Sequence, residues 1–328
     1  MGMSTAAAAD ARIALLSGLI DDAGLFPPAA LAMPMAVAEH SRADAGPYAW
    51  IQGRFLCPVE RLGELVAALP LGADWGLGVI AGDIPLFGLE GRLERGLAQV
   101  AAAVESSGGR LRLQALEFRL PPEPVDVASV LRAVSSAARR VSLGSGVELY
   151  LEAPLGPSWI ATPAMARAIA EARTGWPDGP CAPPGAKIRC GGTAETTASI
   201  AELASFIAAC AAAGAPFKAT AGLHHPLAHR DPVTGDHAHG FLNVAAATAL
   251  LAGGALGPGE LEDVLAETDP SVLSLSAHGL SWRGRWARAG VIARMRRERL
   301  RSYGSCSFAE PIDDLTALGV LPLEEDVA

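Results

Sequence analysis

Short apolar runs with strand character alternate along this chain with longer segments whose apolar residues recur at helical spacing. Strands are expected at 50–57, 75–80, 111–119, 147–152, 186–190, 217–220 and 272–276, and helices at 59–69, 89–105, 125–139, 162–173, 199–213 and 242–251. In the segment 199–213, Ile200, Leu203, Phe206, Ile207 and Cys210 fall on one helical face. Ser199 with Glu202 gives that helix a capping box. Repeated strand-then-helix units imply parallel strands joined by crossovers. The expected fold is a single α/β domain over residues 1–328, a (β/α)8 TIM-type barrel, with residues 1–46 as an N-terminal helical closing segment. Seven strands are visible, and the eighth is sought at 13–20 or 304–308. An open doubly wound parallel sheet is the alternative, but the Gly-rich nucleotide fingerprint after the first strand is missing. Asp21 and Asp22 read as an acidic turn.

Strand side chains alternate between two faces, so each strand divides by parity. Ile188 and Cys190 oppose Lys187 and Arg189; Phe217 and Ala219 oppose Lys218 and Thr220. Val147, Leu149 and Leu151 oppose Glu148, Tyr150 and Glu152. Leu116 and Phe118 oppose Glu117 and Arg119, and Ile51, Phe55 and Cys57 oppose Gln52 and Arg54. In a barrel the apolar set meets the outer helices, which leaves the polar set inside, toward the strand ends where barrel active sites are built. Arg54, Glu117, Glu152, Lys187, Arg189 and Lys218 are therefore expected to converge. They serve either as a site or as a charge-paired plug.

The segment 216–240 carries five of the seven histidines, His224, His225, His229, His237 and His239, directly after the Lys218 strand. That places them in a long βα connection on the same face, of the kind that forms lids and binding loops. Imidazole titrates near neutral pH and ligates metals, so its concentration here points to chemistry.

Three chemistries suit these residues. Lys218, desolvated beside Lys187 or Arg189, is placed to attack a carbonyl and form a Schiff base, with Glu152 or Tyr150 moving protons and Arg189 holding a carboxylate or phosphate. Lys218-Ala219-Thr220-Ala221-Gly222 resembles the Lys-Thr-Ser-Thr-Gly strand of deoxyribose-phosphate aldolases, which are Schiff-base barrels; this five-residue resemblance implies lyase chemistry. Alternatively His237 and His239, an HxH pair, join His224 or His225 and a carboxylate such as Glu152 to hold zinc, manganese or iron for hydrolysis or isomerisation. In the third, His224 or His225 is a general acid/base without a metal. Thr220 and Asn243 are expected ligand contacts, and Arg54, Glu117 and Tyr150 line the site. Binding of a small anion without turnover is the non-enzymatic reading.

Composition narrows these. Half of the 328 residues are hydrophobic and 19% are charged, enough for a large core. The net charge of −9 argues against nucleic-acid binding, although 283–301 carries eight arginines in a helix-like stretch read as a solvated face. Lys187 and Lys218 are the only lysines, and both lie inside strands. Five scattered cysteines without a CxxC pair fit a reducing cytoplasm. No span of membrane length and no signal peptide is expected. The expected protein is a cytoplasmic enzyme, a lyase or metal-dependent hydrolase or isomerase, acting on a small anionic metabolite. It has no nucleic-acid or membrane partner, and a homo-oligomer is compatible with it.

Overall fold

Eight parallel strands close into a barrel in the computed structural model, which describes residues 10–84, 88–121, 126–141, 146–153, 162–176, 181–192, 197–231 and 235–322. The strands are β1 (Ile20–Asp22), β2 (Gln52–Pro58), β3 (Trp75–Asp83), β4 (Leu111–Arg119), β5 (Glu148–Glu152), β6 (Gly185–Arg189), β7 (Phe217–Thr220) and β8 (Leu300–Ser305). They follow one another round the ring in chain order, and β8 pairs with both β7 and β1. The helices are α1 (Ala11–Leu16), α2 (Met33–Asp44), α3 (Leu62–Ala68), α4 (Leu89–Ser106), α5 (Val127–Arg140), α6 (Thr162–Thr174), α7 (Ile200–Ala213), α8 (Phe241–Ala252), α9 (Leu261–Leu265), α10 (Ala289–Glu298) and α11 (Ala309–Ala317). The expected (β/α)8 barrel is the fold, and six of the seven expected strands are barrel strands. Residues 1–9, 232–234 in the His-rich segment and Val125 at the start of one expected helix lie outside the described residues.

The seventh expected strand, 272–276, is not in the barrel. Leu273–Ser276, Gly279–Trp282 and Arg285–Arg288 form a separate antiparallel sheet. Its second turn has Arg283 and Gly284 both at positive φ, 46° and 78°, which is the backbone of a tight hairpin. A strand tied to its neighbour by so short a link can pair only antiparallel, because a parallel pair needs a long crossover. The barrel is closed instead by β1 and β8. The stretch 13–20 is helical up to Leu16, with Asp10 capping its start by accepting from Arg12 N–H, and β1 begins at Ile20. Residues 1–46 therefore supply the first barrel strand, and Asp21 and Asp22 lie on it rather than in a turn. The arginine-rich stretch is helical only over α10; before it runs Arg285–Arg288, and after it β8 begins.

The outward strand faces make the core. Phe55, Leu77, Leu116, Leu149, Ile188, Phe217 and Ala219 are buried there. Apolar residues of the surrounding helices meet them, such as Leu93, Leu97 and Val100 of α4 at helical spacing. The capping box of α7 is formed as expected: Ser199 N–H donates to Glu202 Oε2 at 2.7 Å and Glu202 N–H donates to Ser199 Oγ at 3.2 Å. Between α8 and β8 the chain makes a long excursion through α9, the antiparallel sheet and α10. These elements enclose α8, so that every residue from Phe241 to Leu250 is buried. The ends of β6 and β7 touch through glycine: a Cβ on Gly191 would lie 2.4 Å from the Gly222 Cα, and Gly222 has φ +68°. Only glycine fits that crossing.

Candidate active site at the barrel mouth

The alternation of the strands delivers their ionisable residues to the barrel interior, where they form a connected column. At the start of β5, Glu148 receives Arg54, Arg301 and the Tyr150 hydroxyl, the last at 3.0 Å. Arg54 also donates to Gln114 at 3.3 Å and lies 3.7 Å from Asp21. In the middle, Lys218 Nζ donates to Asp21 Oδ2 at 2.6 Å and to Glu117 Oε1 at 2.5 Å. Ser302 Oγ donates to the same Asp21 oxygen at 2.7 Å. Lys187 Nζ lies 2.6 Å from Glu117 Oε2 and 2.9 Å from Glu152 Oε2. Toward the mouth, Glu152 Oε1 faces Arg189 Nε at 3.2 Å and Arg119 Nε at 3.4 Å. The sign of charge thus alternates from Asp21 through Lys218, Glu117, Lys187 and Glu152 to two arginines.

Burial pushes each of these carboxyls up, and the neighbouring cations override it. Lys218 and Arg54 hold Asp21 below its ordinary value, and Lys187 and Lys218 do the same for Glu117. Lys187 and Arg189 bring Glu152 down from 4.5 to about 2. Burial depresses the Lys187 ammonium, but Glu117 and Glu152 outweigh it and leave it above its ordinary value. Burial, with Glu148, raises the Tyr150 phenol beyond any role in neutral-pH proton transfer. Lys218 is wholly buried, with two of its three donors spent on carboxylates. Each buried ion costs several kcal/mol to desolvate, so the column holds only because every member has an opposite charge in contact.

Compared with protein-family models and with curated proteins, the chain matches none. Function must therefore be read from the site. Among the described residues, no helix is long and apolar enough to cross a membrane.

The histidines make contacting pairs, and the rings of His225 and His229 meet edge to face at 4.6 Å. His229–Arg230 pairs antiparallel with His237–Ala238, so the expected structureless loop contains a small hairpin. His224 has Nδ1 3.2 Å from Glu310 Oε2 on α11 and its ring beside Cys306, whose Sγ is 3.7 Å from Nε2. His225 Nδ1 pairs with Asp314 at 2.6 Å. The rings of His237 and His239 meet edge to face at 4.9 Å. His239 Nε2 is 2.6 Å from the Ala198 carbonyl, which fixes that nitrogen as the donor, and burial brings the ring down to about 4. The expected carboxylate partner, Glu152, turns to the cations instead. Among the described residues, no group of three or more His, Cys, Asp and Glu is placed to hold a metal.

Asn243, expected to reach a ligand, is wholly buried on α8. Its Oδ1 accepts from Ala228 N–H, and its Nδ2 donates to the carbonyls of Val264 and Glu267, each at 2.8 Å. It ties the His-rich segment to α9. Thr220 lies where expected, at the mouth end of β7 facing Gly304. A cavity of about 300 Å³ opens at the opposite, N-terminal end, lined by Asp21, His40, Gln52, Arg54, Arg112 and Gln114. His40 is tied to Asp22 at 2.9 Å, and Arg54 is engaged by Glu148, so this opening is the foot of the column.

Parity found Glu117, Glu152, Lys187, Arg189 and Lys218, which the fold brings into one network. It missed Asp21, because a three-residue strand is too short to alternate visibly. Arg301 and Ser302 were hidden in a stretch whose arginines suggest a helix. Glu148 and Arg119 carried the same parity signal as Glu152. The approach of Cys306 and Glu310 to His224 left no trace in spacing.

Proposed function

We propose that the protein is an enzyme that binds a small anionic, carbonyl-bearing metabolite at the C-terminal mouth of the barrel and performs lyase-type proton transfer on it. The observation that carries this reading is the position of Glu152: buried at the end of β5, above Lys187 and beneath Arg119 and Arg189, which are themselves half-exposed or partly exposed toward the mouth. Arginine is the side chain suited to a planar carboxylate or a phosphate. An incoming anion competes with Glu152 for the two guanidinium groups and adds negative charge beside it. Both effects return the Glu152 carboxyl from about 2 toward the ordinary carboxylate range, where it is a better base. The substrate thereby activates its own proton acceptor, and Lys187 is the adjacent donor.

This acid–base route is favoured over a Schiff base at Lys218, since that amine is enclosed by Asp21 and Glu117 and both bonds must open before it can react. Incubation with pyruvate and borohydride is accordingly expected to leave Lys218 unmodified in the peptide map.

The decisive experiment combines thermal unfolding with pyruvate, 2-oxobutyrate and dihydroxyacetone phosphate and NMR measurement of deuterium exchange at the carbon beside the carbonyl. One of these anions is expected to raise the unfolding temperature and to exchange faster than in buffer. Glu152→Gln then lowers exchange about 100-fold or more, the ordinary scale of a general base. Arg189→Met weakens binding about tenfold or more, the worth of one charge-assisted hydrogen bond. If no anion stabilises the protein and exchange stays at the buffer rate, the column is a structural plug and the reading is wrong.

A further inference from the structure

Cys306 is the one cysteine that is not fully enclosed; Cys57, Cys181, Cys190 and Cys210 are all buried. It follows β8 at the mouth of the barrel, two residues beyond Gly304. Three separate elements converge on it. His224, from the segment after β7, puts Nε2 3.7 Å and Nδ1 3.8 Å from the sulfur. Glu310, on the first turn of α11, lies 3.2 Å from His224 Nδ1. The loop after β1 brings the Ala29 backbone N–H onto the sulfur. A carboxylate accepting from Nδ1–H fixes the imidazole tautomer with its lone pair on Nε2; the sulfur lies almost equally far from both nitrogens, so the ring must turn to bring Nε2 into line with the thiol. Nucleophile, base and orienting carboxylate are thus in contact order, the arrangement that activates a weak nucleophile.

We propose that Cys306, His224 and Glu310 form a thiol nucleophile site for activated acyl compounds, esters or thioesters. The inference rests on these contacts alone and holds whether the ion column is a site or a plug. In the first half-reaction the Cys306 sulfur bonds to the acyl carbon and its proton passes to His224 Nε2. The bond to the leaving oxygen or sulfur then breaks, and that atom takes the proton from Nε2. In the second half-reaction a water gives its proton to His224 and attacks the Cys306 thioester, releasing the carboxylic acid and restoring the thiol. The sum is acyl compound plus water giving acid plus alcohol or thiol, with no change of oxidation state.

The resting state agrees with that sequence. Burial raises the Cys306 thiol, as do Glu310 and Asp22, so the sulfur waits protonated. Burial lowers the His224 ring, with His225 and His229 adding to it against the pull of Glu310, so the base waits neutral. The thiol is therefore ionised by His224 during attack and not beforehand.

The test uses p-nitrophenyl acetate on the full chain, following p-nitrophenolate release and locating the acetyl group by peptide mass spectrometry. A burst of about one p-nitrophenolate per chain is expected, with the acetyl group found on Cys306 before water releases it. Its rate of formation should rise as His224 loses its proton below pH 6.5 and then level off. In His224→Gln the rate at pH 7 should fall about 100-fold or more, and should climb only where the thiol itself ionises. Glu310→Gln alters an exposed side chain, so the fold persists and the rate falls by less. Cys306→Ser should carry no acetyl. The proposal is overturned if Cys306 acetylates no faster than glutathione with the same pH profile, or if folded His224→Gln and Glu310→Gln both keep the wild-type rate.

Discussion

The two lysines are the residues on which the interior depends. The chain has two lysines, and both lie inside the barrel, each a compact point charge held between two carboxylates, while arginines occupy the two ends of the column and the surface. Lys218→Met keeps much of the aliphatic stem and removes the charge, leaving Asp21 and Glu117 close to each other without it. The expected cost is about 3–5 kcal/mol, the scale for breaking a buried ion pair from one side. Adding Glu117→Gln to Lys218→Met removes one stranded charge and should recover part of that loss, a non-additivity that a double-mutant cycle by urea unfolding reads directly. An unchanged urea midpoint for Lys218→Met would show that the ammonium holds nothing together. The lysines themselves were legible because strand parity needs only a few residues to assign a face. Asp21, the partner of Lys218, was not, and without it the sequence suggests a free amine there instead of an enclosed one.

At the scale of elements, alternation and helical spacing were enough for the strands and helices of the repeating units. Strand β4 and strand β7 have the bounds the pattern implies, and α7 has its capping box. They failed where pairing partners decide: 272–276 has strand character, but the hairpin turns that follow it commit it to an antiparallel sheet. The long segment after β7 is held by a similar non-local device, Asn243, which satisfies one backbone N–H and two carbonyls from inside the core. Leaving buried backbone groups unpaired costs about 1–3 kcal/mol each, whereas losing an N-cap costs typically about 1 kcal/mol. Asn243→Ala is therefore expected to destabilise the protein well beyond Ser199→Ala, and hydrogen exchange should quicken first at Ala228. Equal effects of the two substitutions would mean that the clamp is not what orders the segment carrying His224.

The whole molecule sums these local choices into a barrel whose wall is apolar outside and ionic inside, and that arrangement fixes its response to acid. The eight-stranded closure was readable from repeated strand–helix units, but its consequence for stability needs the geometry, since a carboxyl on a strand face has no assigned partner until the ring closes. Asp21, Glu117, Glu148 and Glu152 all sit below their ordinary values in the folded chain, because the cations outweigh the penalty of burial. A depressed carboxyl contributes stability that is fully present above its unfolded value and is lost as pH falls through its folded one. For Glu152 that window runs from 4.5 down to about 2, and the charged form is worth about 3 kcal/mol relative to the protonated form. Protonation also strips Lys187, Arg189 and Arg119 of their shared partner, so the loss spreads through the column. The protein is therefore expected to hold its urea midpoint from neutral pH to about 5 and to lose it steeply below 4. Glu152→Gln, which cannot titrate, should start less stable at pH 7 and show a shallower decline. A wild-type acid slope no steeper than that of Glu152→Gln would mean that the column does not govern the stability of the barrel.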